Sequence, residues 1–403
     1  MTFRIPLAKP EVTEADRDAV MGVLRTPNLS TGPKVEEFER AICNYTGSTR
    51  AVAVNSGTSA LQLAIRALGI ERGAEVILPS FTFSAVLNVI LLEGLRPKFV
   101  DIDPLTYNCT PEYIGAAITP DTRLIIAVHT FGFPVDVGAM MRAAAQARSE
   151  DQQRICVIED ACEALGADVH GRKAGTLGDA GLFAFYPNKQ ITTGEGGMLV
   201  TSDELIARKA SQLRNQGRDP QLGWNSHAEV GYSYRISDIN CALGVSQLSR
   251  IETIIARRQA VAEMYDAELA RIPGIVPPPL TSSVGRVSWF VYPVQLSAEF
   301  SARDRDRVCE LMARKEIATG RYFAPLHRQP VLGSLSTKPF TTEDTEVHRG
   351  IHTEENQGMP LPNTELVADR VIALPFFNEL TRSAIQEVCG ALDESLRELR
   401  RKT

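Results

Sequence analysis

No apolar run in the chain approaches the ~18–20 residues that a membrane-crossing helix needs, and the opening Met1-Thr-Phe-Arg-Ile-Pro-Leu7 has no apolar stretch behind a basic start. The expectation is an unanchored, cytoplasmic protein. Basic blocks are missing as well. The chain carries 43 lysines and arginines against 49 aspartates and glutamates, spread along its length, for a net charge of -6. Neither nucleic acid nor an anionic membrane is given an electrostatic reason to bind, and a small polar substrate suits such a surface better. The seven cysteines contain no CxxC pair, so zinc and dithiol chemistry lack their ligand spacing, and reduced thiols are expected. There is no internal repeat and no low-complexity tract. With 44% apolar and 23% charged residues, the 403-residue chain has globular composition, enough for one large domain and a smaller one.

What is present is an alternation of short apolar runs and helical patterns. Ala51–Val54, Glu75–Leu78, Lys98–Ile102, Leu124–Val128 and Ile155–Ile158 read as buried strands. Between them, Ser59–Leu68 sets Ala60, Leu61, Ala64, Ile65 and Leu68 on one helical face, and Ser84–Glu93 and Val135–Ala147 suit crossover helices. This is βαβ order, hence an α/β fold with a mostly parallel sheet. Two more strands, Gly181–Phe185 and Gly197–Thr201, bracket the loop Tyr186-Pro-Asn-Lys-Gln-Ile-Thr-Thr-Gly-Glu-Gly196. Helical stretches run from Ser237 through Arg257 and on to Ile272, where Pro-Gly-Ile-Val-Pro-Pro-Pro breaks the pattern. The division expected is a large domain over 1–255 and a smaller C-terminal α/β domain over 256–403. In the latter, Trp289–Leu296 and Val371–Leu374 read as strands, and Asp304–Lys315 and Thr381–Leu399 as helices. Residues 335–360 have no period and read as a long loop, either disordered or a lid.

Three features carry chemistry. Asn55-Ser-Gly-Thr-Ser59 joins a strand to a helix, where backbone N–H groups, the helix dipole and hydroxyls can hold a phosphate; the plain alternative is a simple N-cap. Glu159-Asp160 ends a strand at the carboxyl edge of the sheet, where doubly wound folds bind ligands and where a carboxylate can keep a pyridine nitrogen protonated. The plain alternative there is a loop Asp capping the next segment. Lys189 lies between two apolar strands and before Thr192-Thr-Gly-Glu-Gly-Gly197. Most lysines are solvated, but here the strands draw the backbone into the core and the glycines admit a flat ligand. A desolvated amine is a nucleophile that can form an imine and afterwards carry a proton.

Phosphate cup, ring-nitrogen carboxylate and imine lysine follow one another in that order, and with them the chain resembles the fold-type-I aminotransferases of the DegT type. The resemblance rests on Leu29-Ser-Thr-Gly-Pro33, Ser56-Gly-Thr-Ser-Ala-Leu61, Pro79-Ser-Phe-Thr-Phe83, Phe99-Val-Asp-Ile-Asp103, Ile158-Glu-Asp-Ala161, Lys189 with Gly194-Glu-Gly-Gly197, Gly231-Tyr-Ser-Tyr-Arg235 and Pro325-Leu-His327. It implies a large domain with a seven-stranded sheet sandwiched by helices, pyridoxal 5'-phosphate as cofactor, and Lys189 as the Schiff-base lysine. It also implies Asp160 as partner of the pyridine nitrogen, Ser56, Gly57 and Thr58 at the cofactor phosphate, Phe83 stacked on the ring, and Glu163 near the ring hydroxyl, where an amide or imidazole is more usual. Two departures concern the phosphate: Ala184 stands where the family often has serine, and Ser233 where it has asparagine. Phosphate binding then leans on Ser56, Gly57, Thr58 and backbone donors, with Ser233 reaching it through water.

By the same resemblance Ser233 and Arg235 come from a neighbouring subunit, so the site is shared across a homodimer, and Arg235 and His327 face substrate. For His327 the alternative is a histidine satisfied inside the small domain; His129 can merely pack at the ligand edge, and His348 and His352 lie in the long loop. The implied reaction is a two-step transamination from L-glutamate to a keto-sugar nucleotide, a 4-keto-6-deoxyhexose, for amino-sugar and polysaccharide biosynthesis. Ala184-Phe-Tyr-Pro-Asn-Lys189 and Leu374-Pro-Phe-Phe377 look like the perosamine-synthase-like branch, which points to a GDP sugar, with UDP and dTDP sugars or a keto-cyclitol open. Rival readings are a related 3-dehydratase, opposed by a lysine where those have histidine, and a non-catalytic pyridoxal-phosphate-binding regulator. A dehydrogenase is opposed by the lack of GxGxxG after the first strand.

Overall fold

A computed structural model of the chain describes residues 3–147, 154–219, 222, 226–335 and 360–401. The expected long loop, including His348 and His352, lies outside the described residues apart from its two ends. Among the described residues no helix is long and apolar enough to cross a membrane.

The apolar runs form the strands their composition suggests: β1 (Arg50–Val54), β2 (Glu75–Pro79), β3 (Arg96–Val100), β4 (Thr122–Val128) and β5 (Cys156–Asp160). A two-residue ribbon, β6 (Asp168–Val169) and β7 (Arg172–Lys173), precedes β8 (Ala180–Ala184) and β9 (Gly197–Thr201). Seven of these make one sheet in the order β1-β9-β8-β5-β4-β2-β3. β9 runs antiparallel to both of its neighbours, β1 and β8, while β8-β5-β4-β2-β3 is parallel throughout. The carboxyl ends of β1, β2, β3, β4, β5 and β8 therefore share one edge, and β9 starts from it.

Alternation along the strands sends side chains to two faces. Val52, Val54, Leu78, Ile126, Ile158 and Leu182 pack beneath the helices Gly57–Ala67 and Ala85–Leu92. Ile77, Ile125, Ala127 and Val157 pack against Pro111–Ala117 and Val137–Gln146 on the other face. Ala53, Phe183, Met198 and Val200 extend that second face under Pro33–Thr46. The sandwich is thus an α/β layer structure whose ligand edge is set by strand direction.

The helix Ile251–Leu269 runs unbroken through the expected division at residue 255. Beyond it, β10 (Ile275–Val276), β11 (Tyr292–Leu296) and β12 (Val371–Leu374) form an antiparallel sheet, covered by Ala302–Arg314 and Arg382–Arg400. Ile5 joins this core, and its N–H donates to the Glu316 carbonyl at 3.1 Å, so the chain start packs with the C-terminal part. The strand expected from Trp289 begins only at Tyr292. Ser288 and Phe290 instead donate their N–H groups to the carbonyls of Gly132 and Phe131, at 3.0 and 3.2 Å, which straps the chain before β11 to the turn after β4.

Candidate active site

At the end of β1, Ser56 caps the helix Gly57–Ala67: its Oγ accepts from the Ser59 N–H at 3.1 Å. The cap leaves the first-turn amides of Gly57 and Thr58 at the ligand edge, with Thr58 exposed. Two glycines permit a close approach here. A Cβ on Gly57 would lie 2.9 Å from both Ala184 Cβ and Cys162 Sγ, and one on Gly197 would lie 2.3 Å from the Ser56 carbonyl carbon. The cup is therefore drawn tight against β8, β9 and the end of β5.

The adjacent carboxylates at the end of β5 part ways. Glu159 is fully buried and accepts from the N–H groups of Gly175 (2.8 Å), Leu177 and Gly178 (2.7 Å). His129 completes its shell: Nδ1 accepts from the Val135 N–H at 3.1 Å, which leaves the proton on Nε2 to donate to Glu159 at 3.1 Å. His129 is thus consumed by the fold. Asp160, on the other side of the strand, accepts from the Cys162 N–H at 3.1 Å and stays partly open at the ligand edge.

Lys189 hangs on the β8–β9 connection, its N–H donating to the Tyr186 carbonyl at 2.9 Å. Its Nζ lies 3.9 Å from the centroid of the Phe290 ring and 3.5 Å from Glu163 Oε1. The other oxygen of Glu163 accepts from the Phe131 N–H at 2.9 Å. Burial pushes the Glu163 carboxyl above its ordinary range; the Lys189 charge and the Phe131 N–H oppose the rise without cancelling it. Burial also holds the Cys162 thiol, beside Asp160, well up, so it is an unreactive neighbour.

Phe83 is 58% exposed, not packed in the core, with its ring 6.4 Å from that of Phe323. His327 is satisfied locally: Nδ1 is 2.7 Å from Ser80 Oγ and Nε2 is 3.4 Å from Glu365, and burial lowers its pKa. Ser233 is exposed, and Arg235 donates to its Oγ and to Asn215 Oδ1, both at 2.9 Å. Their segment is anchored beside the cup, since the Asn55 N–H donates to the Tyr234 carbonyl at 3.0 Å.

The structure thus brings Lys189 and Glu163 into contact, sets Asp160 and Ser56-Gly57-Thr58 on the same sheet edge, and leaves Ser233 on the surface. Sequence reasoning missed Phe290, which lies under the lysine amine, and Gln190, whose Nε2 donates to the carbonyls of Glu163 (2.6 Å) and Ser288 (2.8 Å). Nothing in the local pattern marks Phe290, which arrives from a distant strap. Gln190, next to the lysine, was open to the same argument about a chain drawn into the core.

The donor set fits pyridoxal phosphate: free amides at a helix start with space only for glycine, a carboxylate at the strand end, an exposed aromatic ring and a half-buried amine. Comparison with known proteins agrees. Residues 10–393 match the model of the DegT/DnrJ/EryC1/StrS aminotransferase family. The chain is 37% identical over 371 residues to the GDP-perosamine synthase of Caulobacter vibrioides, covering 92% of this chain and 97% of that one. Among solved structures, the aminotransferase TlmJ of Streptoalloteichus hindustanus superposes with a TM-score of 0.85 at 28% identity, covering 98% of this chain and all of the other. The pyridoxal-phosphate form of a putative sugar aminotransferase from Streptococcus pneumoniae does so with 0.84 at 26%, covering 98% and 99%. Fold, edge chemistry and matched residues agree that this chain belongs to the DegT/DnrJ/EryC1/StrS aminotransferase family of pyridoxal-phosphate-dependent enzymes.

Proposed function

We propose that this enzyme moves an amino group from L-glutamate to a keto-sugar nucleotide, with a 4-keto-6-deoxyhexose as acceptor. The observation that carries the reading is the half-buried amine of Lys189, held over Phe290 and beside Glu163 at the sheet edge where Asp160 and the Ser56-Gly57-Thr58 cup also end. The resemblance to a GDP-perosamine synthase makes a GDP sugar the first acceptor to try.

Each residue then has a task. When bound, pyridoxal phosphate supplies an aldehyde to which amines attach and a ring that withdraws electrons from the substrate carbon. Ser56 and the amides of Gly57 and Thr58 hold the phosphate at the helix start. The Asp160 carboxylate would hold a proton on the ring nitrogen, Phe83 would cover a ring face, and Glu163 would face the ring hydroxyl. Lys189 Nζ would be the amine that holds the cofactor through its aldehyde, and as a free amine it would be the base that moves a proton from the substrate carbon. Ser233 and Arg235 of a second copy, the first exposed and the second half-buried in this chain, would complete the phosphate and substrate sites in a homodimer. His327, tied to Ser80 and Glu365, lines the substrate side.

The test is spectroscopic. The cofactor band of the purified protein should bleach with L-glutamate and return with one member of a panel of GDP, UDP and dTDP keto-sugars and keto-cyclitols, and Lys189→Ala should lose the borohydride-reducible band. A band indifferent to glutamate would replace this reading with that of a non-catalytic cofactor-binding regulator.

A further inference from the structure

Helix Ile251–Leu269 buries Ile251, Ile254, Ile255, Arg258, Val261, Ala262, Tyr265 and Leu269, a single apolar face with one cation in it. Arg258 is 5% exposed. Among the described residues it bonds to no carboxylate. Its Nη1 donates to the carbonyls of Phe290 (3.1 Å) and Trp289 (3.3 Å), and its Nη2 to the carbonyl of Lys189 (3.2 Å). Its Nε has no acceptor there, and its Cζ lies 5.5 Å from the Phe376 ring centroid. Glu11 attracts it through space but is itself bonded to Arg250 and Arg257. Burial pulls the guanidinium down to about 10, so it is still cationic at neutral pH.

A buried guanidinium bonded only to carbonyls is an expensive way to fill a helix face, and a methionine of similar length would avoid the desolvation. What it does accomplish is local to one amine. One of its three carbonyls belongs to Lys189, and another to Phe290, whose ring supports the lysine Nζ at 3.9 Å. Gln190 ties the same loop to the same strap through Glu163 and Ser288.

We infer that Arg258 is a positioning residue for Lys189, clamping the lysine backbone and the Phe290 platform into one frame and so fixing the direction from which the amine enters the site. The inference rests on the reading of Lys189 as the Schiff-base lysine. Near-attack geometry is sensitive: a displacement of about 1 Å can cost ~10²-fold in rate.

The test uses the full chain freed of cofactor, as wild type, Arg258→Lys and Arg258→Met. Each is exposed to pyridoxal, which lacks the phosphate, and trapped with borohydride, and trapping at Lys189, at half-buried Lys209 and at exposed Lys315 is followed by peptide mass spectrometry. Arg258→Met should slow trapping at Lys189 about tenfold or more, with the other two lysines unchanged. Arg258→Lys, which keeps a charge and a donor, should recover part of the loss. In the holoenzyme the loss should fall on kcat, on the order of 10²-fold, and not on KM for the amino donor. Wild-type trapping at Lys189 in a folded Arg258→Met or Arg258→Lys protein, or equal loss at all three lysines, would overturn the inference. Failure of both variants to fold would do so too, by making Arg258 a residue of the fold. If Lys189→Ala keeps the reducible band, the reading of Lys189 itself falls; an intact Lys189 dependence with unmoved Arg258 variants sinks only the present inference.

Discussion

Glu163 divides its carboxylate between two partners, taking the Phe131 N–H at 2.9 Å on one oxygen and facing Lys189 Nζ at 3.5 Å with the other. Burial, helped by the charge of Asp160, holds its pKa above the ordinary value despite both partners. The sign of the linkage follows. A carboxyl raised on folding favours the folded state below its unfolded pKa, near 4.5, and that advantage is lost as pH rises through the raised folded value. Glu163→Gln keeps an acceptor for Phe131 and removes the buried charge. In urea titrations of the cofactor-free protein the variant should match wild type near pH 5 and gain on the order of 1 kcal/mol at pH 8. Parallel stability curves for the two proteins across that range would show that the carboxylate is fully compensated.

Asp160 accepts from the Cys162 N–H, lies beside the Cys162 thiol, and stays half-buried at the ligand edge. Asp160→Asn preserves that bond and removes the negative charge. It should lower kcat about 10²–10³-fold, the scale seen when a preorganised electrostatic partner is removed, while cofactor affinity falls less than about tenfold. Stopped-flow half-reactions with glutamate would check this. A kcat within about threefold of wild type would remove Asp160 from the ring nitrogen.

The strands were readable because each apolar run is short and bounded, with β2 and β9 buried on both faces, and the lysine loop because two such runs bracket it. Other parts were not. Glu159 and Asp160 look like one feature in the sequence, yet strand alternation sends Glu159 into the Gly175–Gly178 turn and leaves only Asp160 at the edge. Trp289 and Phe290 have strand composition, but their polar backbone is bonded to Phe131 and Arg258 instead of a sheet neighbour. Arg258 itself reads as a surface arginine until its phase with Ile251, Ile254, Ile255 and Tyr265 is followed. The turn that Glu159 meets and the partners of Trp289 and Phe290 are long-range pairings, and local periodicity does not encode them.

The helix Pro362–Arg370 has no side-chain cap of its own at Leu361. Asp101, just past the end of β3 and 4% exposed, supplies one from the seven-stranded sheet, accepting the N–H groups of Asn363 (3.0 Å) and Thr364 (2.7 Å). Asp101→Ala strands both donors and should cost about 1–3 kcal/mol, with Asp101→Asn recovering part. Thermal unfolding would show it. A loss under ~0.5 kcal/mol would mean that water satisfies the helix start as well as Asp101 does.

Gly57 poses two opposed expectations. At a helix start alanine is the better former, by up to ~1 kcal/mol over glycine in a helix interior. Its Cβ, however, would stand 2.9 Å from both Ala184 Cβ and Cys162 Sγ, and Ala184 has no rotamer with which to move aside. Overpacking of this kind costs about 1–3 kcal/mol, so the clash should win. Because the cup is where the helix start meets β8, the strain should also push the Gly57 and Thr58 amides away from the phosphate. Gly57→Ala is expected to weaken pyridoxal-phosphate binding tenfold or more, on the order of 1.4 kcal/mol, as read by equilibrium titration of the absorbance band. Ala184→Gly in the Gly57→Ala background removes one of the two clashing atoms and should return part of the affinity, a coupling that independent sites would not show. Strict additivity of the two substitutions would mean that the helix start relaxes away from β8 without disturbing the cup.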